Sequence, residues 1–187
     1  MVYKYVAGKN NTKFYYKKVK GKWIRINNDV GQKKVKYYYN DKNATASGII
    51  VLKKFGDDFK LLALKGNKNY IGKKDLDNNR IYDIPKGRME KDETPLQTAL
   101  RETDEESSIT ELNFTKGLNT TYRNGNLKKQ LVIFIATTSQ EPKIKKNPET
   151  GILEHSGTKW VTWDEMKEMC YGYLKPSIEW GEKIMKK

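Results

Sequence analysis

Three glutamates, Glu102, Glu105 and Glu106, are spaced i, i+3 and i+4. On a helix of about 3.6 residues per turn they share one face. Asp104 stands close by. Like charges at this spacing oppose the helix by roughly 0.3 kcal/mol per pair. They also crowd a C-terminal helix end, where the dipole favours cations. A locally unfavourable arrangement with no local compensation is where function is expected. A hard cation would resolve the conflict, because grouped carboxylate oxygens suit Mg2+ or Mn2+. A solvated acidic helix end explains the same residues, and spacing alone leaves both readings open.

The element that must carry these glutamates has clear signals. A helix is predicted over Thr94–Glu106. Thr94 is its N-cap, Pro95 takes the first helical position, and Gln97 completes a capping box. Leu96, Ala99, Leu100 and Thr103 form a stripe able to face a core. Upstream, Pro85-Lys86-Gly87 reads as a sharp turn.

The rest of the chain from Thr45 reads as mixed β and α. SGIIVLKK and KLLALKG are candidate strands around a Gly-Asp-Asp turn. Gly66–Arg80 reads as a loop and Ile81–Ile84 as a short strand. KKQLVIFIATT is a continuous apolar run, the mark of a central buried strand. Glu141–Gly157 reads as a loop and TKWVTW as a strand. Asp164 is expected to open a short helix, and Ser177 to cap a C-terminal one.

Around the glutamates a longer register emerges. After Gly87 come five residues, Glu93, seven residues, Arg101-Glu102, two residues, and Glu105-Glu106. The stretch Gly87–Ile109 resembles the Nudix box, with every charged position in register. Two positions depart. An aliphatic slot holds Thr103, which can still pack its methyl, and a glycine slot holds Ser108. That glycine normally ends the helix in a left-handed conformation, which serine adopts less readily.

The resemblance implies an α/β fold: a Nudix-like α/β/α sandwich around a mixed sheet. It implies hydrolysis of a phosphoanhydride bond in a nucleoside diphosphate linked to another group, with Mg2+ or Mn2+ as cofactor. Glu102, Glu105 and Glu106 would ligate the metal, joined by the Gly87 carbonyl. Glu93 would orient the site, with Arg101 paired to it. Glu105 or Glu106 would be the general base, and Glu154, on a late loop, is a further candidate. The surrounding text, IPKGRMEKDETPLQTALRETDEES with a later EHSGTKWVTWDE, looks most like the diadenosine tetraphosphate hydrolase branch. On that pattern Lys86 would meet substrate phosphate, Tyr82 would stack on a base, and His155 would contact polyphosphate, with Arg88 as a further substrate-binding residue. An exposed loop position for His155 and a packing role for Tyr82 remain equally open. RNA-decapping members share the same turn and helix, so removal of an RNA 5′ cap is the alternative. A sensor that kept the fold and lost turnover is disfavoured by the intact glutamates.

Composition sets outer limits. In 187 residues there is one Cys, Cys170, and one His, His155, which excludes disulfide frameworks and multi-histidine schemes. No run approaches a membrane span and the N-terminus lacks a signal-like apolar stretch, so a soluble, cytoplasmic protein is expected. The net charge of +14 is unevenly placed. Residues 1–44 hold 12 basic and 2 acidic residues and 9 of the 21 aromatics, whereas residues 45–187 net only +4. We therefore read 1–44 as a small basic β meander and 45–187 as the hydrolase domain. In the meander, Phe14–Val19 and Trp23–Ile26 flank a Lys20-Gly21 hairpin, with a third run at Val35–Tyr39. Basic residues beside aromatic faces suit RNA; the aromatics could equally be the meander's own core.

Overall fold

The computed structural model describes residues 2–7, 13–26, 43–67, 79–126, 129–147 and 150–186. The expected run Val35–Tyr39 and most of the loop after Gly66 lie outside these residues. Among the described residues eleven strands form one sheet. They are β1 (Val2–Ala7), β2 (Lys13–Val19), β3 (Lys22–Ile26), β4 (Ala44–Phe55), β5 (Asp58–Gly66), β6 (Tyr82–Asp83), β7 (Lys86–Arg88), β8 (Glu111–Asn113), β9 (Tyr122–Asn126), β10 (Lys129–Thr137) and β11 (His155–Val161). The helices are α1 (Pro95–Ser107), α2 (Trp163–Met169) and α3 (Lys175–Met185).

The strand order is β11-β5-β4-β10-β8-β1-β2-β3, with β6 on β5, β7 on β4 and β9 on β10. β4 and β10 pair in parallel at the centre, and their neighbours pair antiparallel, so the sheet is mixed. The continuous apolar runs of the central strands are explained by burial on both faces. Ile49, Val51, Leu62, Leu64, Val132 and Phe134 pack toward Leu96, Ala99 and Leu100 of α1. The alternating set Ile50, Leu52, Leu61, Ala63, Ile133 and Ile135 packs toward Met166 of α2 and Ile178 of α3. Strand alternation thus builds an α/β/α sandwich.

α1 begins as its sequence dictates. The Thr94 side chain accepts from the Gln97 N–H, and the Gln97 side chain accepts from the Thr94 N–H. Thr103 is buried and its hydroxyl donates to the Ala99 carbonyl at 2.7 Å, so the non-aliphatic slot costs no unsatisfied polar group. Ser108 takes the left-handed conformation, φ 58° and ψ 14°, despite its Cβ. Its N–H donates to the Asp104 carbonyl and its hydroxyl to the Lys143 carbonyl. Helix termination therefore follows the glycine pattern without the glycine.

Two helix starts differ from expectation. Thr162, not Asp164, caps α2 in a capping box with Glu165, and Asp164 lies in the first turn. Ser177 lies inside α3, buried, with its Oγ 3.2 Å from Asn124 Nδ2; the helix begins at Lys175 with no side-chain cap. In both cases the cap-competent residue nearest the apolar pattern was not the one at the boundary.

The N-terminal residues continue the sheet. β1 pairs with β8, and the β2–β3 hairpin follows on its outer side, turning at Lys20 (φ 47°) and Gly21 (φ 80°). Positive φ at both positions suits the twist of a two-residue hairpin. Tyr3 and Tyr15 are buried in the same core as α1, with Tyr3 edge-on to Phe114 at 5.7 Å.

Candidate active site

The site is built where the β7 turn meets the C-terminal half of α1. Gly48 on β4 opposes Lys86 on β7. A Cβ at Gly48 would stand 2.5 Å from the Pro85 carbonyl oxygen, so glycine lets the turn lie flat on the sheet. Gly87 faces α1 just as closely. A Cβ there would overlap the Glu102 carboxylate.

Arg101 organises the acidic residues. It is 3% exposed. Its Nε donates to Glu93 Oε1 at 2.8 Å and its Nη2 to Glu93 Oε2 at 2.9 Å. Nη2 also donates to the Arg88 carbonyl, and Nη1 donates to Glu102 Oε1 at 2.7 Å and Glu105 Oε2 at 3.0 Å. One guanidinium thereby ties the loop, the start of the box and two of the three grouped glutamates together. Burial would raise the Glu93 carboxyl, but the Arg101 fork and the Thr98 hydroxyl hold it down at about 2. Glu102 goes the other way: burial, reinforced by Glu106 and Glu105 against the pull of Arg101, pushes it up to about 7.

Glu106 has its own set of partners. His155 Nε2 lies 3.0 Å from its Oε1, and the Lys86 N–H donates to its Oε2 at 2.9 Å. Burial pushes its carboxyl up, and His155 and Lys86 pull against that. His155 opens β11 and is buried, so the exposed-loop placement is wrong for its side chain. Burial disfavours the imidazolium, yet the Glu106 hydrogen bond and charge raise the His155 pKa.

Lys86 Nζ pairs with Asp83 Oδ2 at 2.6 Å. Burial opposes its charge, but Asp83, Tyr173 and Glu106 hold it firmly protonated. Asp83 is buried and also accepts the Ile84 N–H. Neither Asp83 nor Tyr173 was singled out from sequence, and only their convergence on Lys86 marks them. Tyr173 is 51% exposed and its ring stacks on Tyr171 at 6.1 Å. Tyr82 lies on β6, half-buried, with Lys159 Nζ 4.5 Å from its ring centre.

Other expected residues stand apart. The Arg88 side chain is exposed, and it is its carbonyl that joins the cluster. Glu154 is exposed and accepts from Asn147 Nδ2 at 2.7 Å within its own loop. Asp104 turns away to Lys145.

The family model of the Nudix domain matches residues 42–181. The chain belongs to the Nudix family. It is accordingly a hydrolase of phosphoanhydride bonds with a nucleotide-derived substrate. Solved Nudix structures share the fold. A Caenorhabditis elegans Ap4A hydrolase in a binary complex superposes with a TM-score of 0.58 at 18% identity, covering 75% of this chain and 98% of that one. The MutT protein of Methanosarcina mazei Go1 gives 0.53 at 19% identity over 79% and 99%. The Nudix domain of Shewanella oneidensis NrtR, complexed with ADP ribose, gives 0.50 at 17% identity over 82% and 98%. No curated protein sequence matches the chain. At these identities the superpositions establish the fold, while the Nudix box of this chain stands on its own residues. Among the described residues no helix is long and apolar enough to cross a membrane.

Proposed function

We propose that the protein is a divalent-metal-dependent hydrolase of nucleoside-diphosphate-linked substrates, with dinucleoside polyphosphates as the first candidates. The observation that carries this reading is the crowding of the α1 glutamates: Glu102 Oε1 and Glu105 Oε2 share Arg101 Nη1 at 2.7 and 3.0 Å, and the Glu106 side chain beside them is only 9% exposed. Burial pushes Glu102 up to about 7 and raises Glu106 as well, so their charged forms lack solvation that a bound cation would replace, even with Arg101, Lys86 and His155 around them. Among the described residues no three His, Cys, Asp or Glu side chains already stand as a metal cage. The donor chemistry nevertheless fits a hard cation, because every candidate ligand is an oxygen. Glu102, Glu105, Glu106 and the Gly87 carbonyl would hold Mg2+ or Mn2+. When bound, the ion would neutralise polyphosphate charge and polarise the reacting phosphoryl group.

The protein's own groups divide the remaining work. Arg101 and Glu93 fix the turn against the helix, so the Gly87 carbonyl and Glu102 keep their positions. Lys86, braced by Asp83, supplies a fixed cation for substrate phosphate. Glu106 is the general base we favour over Glu105: burial raises its proton affinity, and His155 Nε2, 3.0 Å from its Oε1, orients it. Glu154 remains the external candidate. The exposed Tyr173 ring, stacked on Tyr171 beside Lys86, supplies a flat face for a nucleobase, a role expected of Tyr82.

The test is a panel of substrates with Mg2+ and with Mn2+: diadenosine polyphosphates, capped RNA, triphosphorylated RNA, nucleotide sugars and diphosphoinositol phosphates. Preference for diadenosine polyphosphates supports the first reading. Hydrolysis confined to capped or triphosphorylated RNA replaces it with the RNA 5′-end reading, which the basic β1–β3 segment favours. No metal-dependent turnover on any member would overturn both.

A further inference from the structure

The strands β1–β3 lie outside the matched residues 42–181, yet they extend the same sheet. Their two faces are chemically unlike. Register places Tyr3, Lys17 and Ile24 on one face and Lys4, Tyr16 and Arg25 on the other, and Lys18 opposite Trp23 joins the second set. The first face carries Tyr3 and Tyr15 into the α1 core. The second gathers Lys4, Lys18 and Arg25 around Tyr16 and Trp23; Glu111 of β8 stands opposite Lys4 and pairs with its Nζ at 3.3 Å, so these residues together carry a net charge of +2, centred on Lys18 and Arg25. Lys4 Nζ lies 5.7 Å and Lys18 Nζ 5.5 Å from the Trp23 ring centre. Lys18 and Arg25 are exposed, and Trp23 and Tyr16 are partly so. A core-facing role explains the first face only.

We infer that the Lys4–Tyr16–Lys18–Trp23–Arg25 face is a docking surface for single-stranded nucleic acid. Charge complementarity and ring chemistry name the occupant. Cations neutralise phosphates while a Trp or Tyr face stacks on any base. An acidic protein would use the charge but has no need of an accessible indole between two ammonium groups. Strand order supplies the second argument. β3 lies five strand spacings from β4, about 24 Å at roughly 4.8 Å each. The catalytic turn sits on β4, and His155 is farther still, on β11. A mononucleotide in the site cannot touch this face, whereas a chain held on it remains tethered near the site. The inference deepens the RNA reading of the function and rests on it only for the identity of the substrate.

The test uses the full-length protein, a fluorescent uridine 12-mer without a cap, and anisotropy titrations over a salt series. Wild type is expected to bind with affinity that falls steeply with salt. Lys18→Glu/Arg25→Glu is expected to weaken binding at least tenfold and to flatten the slope of log affinity against log salt by about 1.4, from roughly 0.7 per phosphate contact. Trp23→Ala is expected to weaken it roughly tenfold with the slope retained, because stacking is lost rather than charge. Hydrolysis of the best small nucleotide substrate serves as the folding control and stays unchanged in both. Unchanged oligonucleotide affinity in the charge-reversed variant, with that control intact, overturns the docking surface. Equal affinity for polyglutamate overturns the nucleic-acid assignment. Oligonucleotide binding through this face without turnover of any RNA 5′ end upholds the surface and refutes only RNA as substrate.

Discussion

Arg101 and Glu93 meet fork to fork, with Nε on Oε1 at 2.8 Å and Nη2 on Oε2 at 2.9 Å. Their side chains are only 4% and 7% exposed. This pair fastens the loop before α1 onto the helix, eight residues further along. The grouped glutamates depend on it, since Nη1 of the same guanidinium holds Glu102 and Glu105.

Breaking that pair should be costly. Removing one partner of a buried ion pair typically destabilises by about 3–5 kcal/mol. Glu102 and Glu105 would still engage Arg101, so Glu93→Gln is expected at the low end, about 3 kcal/mol. The check is a drop in the urea midpoint with an unchanged m-value. A midpoint within experimental error of wild type would show that the fork does not hold the loop.

The same carboxyl sets an acid limit. Glu93 is held at about 2 against an ordinary 4.5. A depressed folded-state pKa stabilises the protein above the unfolded value, and that stabilisation is lost as pH falls toward the folded one. The difference in unfolding free energy between wild type and Glu93→Gln should therefore be constant above about pH 5 and shrink between roughly 4.5 and 2. A difference that does not change with pH across this window would refute the assignment.

At the proposed base, Glu106→Gln is expected to lower kcat by about 10²–10⁴-fold with the fold intact by circular dichroism. Glu105→Gln should lower the rate too, through loss of a metal ligand that added Mn2+ partly restores. Near-normal turnover in both variants would sink the site.

Metal binding can be read without turnover. Mg2+ or Mn2+ at concentrations well above its Kd should raise the Tm of wild type, since a ligand that binds only the folded state stabilises it. Glu102→Gln/Glu105→Gln should lose that rise, and chelator should reverse it. An equal rise in the double variant would place the ion elsewhere.

Ser108→Gly sets two effects against each other. Glycine relieves the Cβ strain at φ 58° but loses the hydroxyl bond to Lys143 and adds unfolded-state entropy. The expected change is within about 1 kcal/mol, with hydrolysis unchanged. A tenfold loss of rate would show that Ser108 does more than end the helix.

By itself, the sequence determined what is local. The α1 start follows from Thr94, Pro95 and Gln97, whose partners lie within three residues, and the box follows from fixed spacings along one short stretch of chain, from the β7 turn through α1. The central strands followed from apolar runs long enough to need cover on both faces. Tertiary structure decided what depends on distant partners. His155 reads as a loop residue until β11 pairs with β5 and brings it to Glu106, 49 positions away. Asp83 is an ordinary aspartate until the β7 turn folds Lys86 back onto it. Val2, Tyr3, Tyr5 and Val6 suit a strand, but only pairing with β8 on one side and β2 on the other gives β1 its place in the sheet. Charge and side-chain type are written in the chain. Burial, which raises Glu102, and register, which sends Tyr3 inward and Lys4 outward, exist only once strands and helices have packed, because both are properties of neighbours contributed from elsewhere in the sequence.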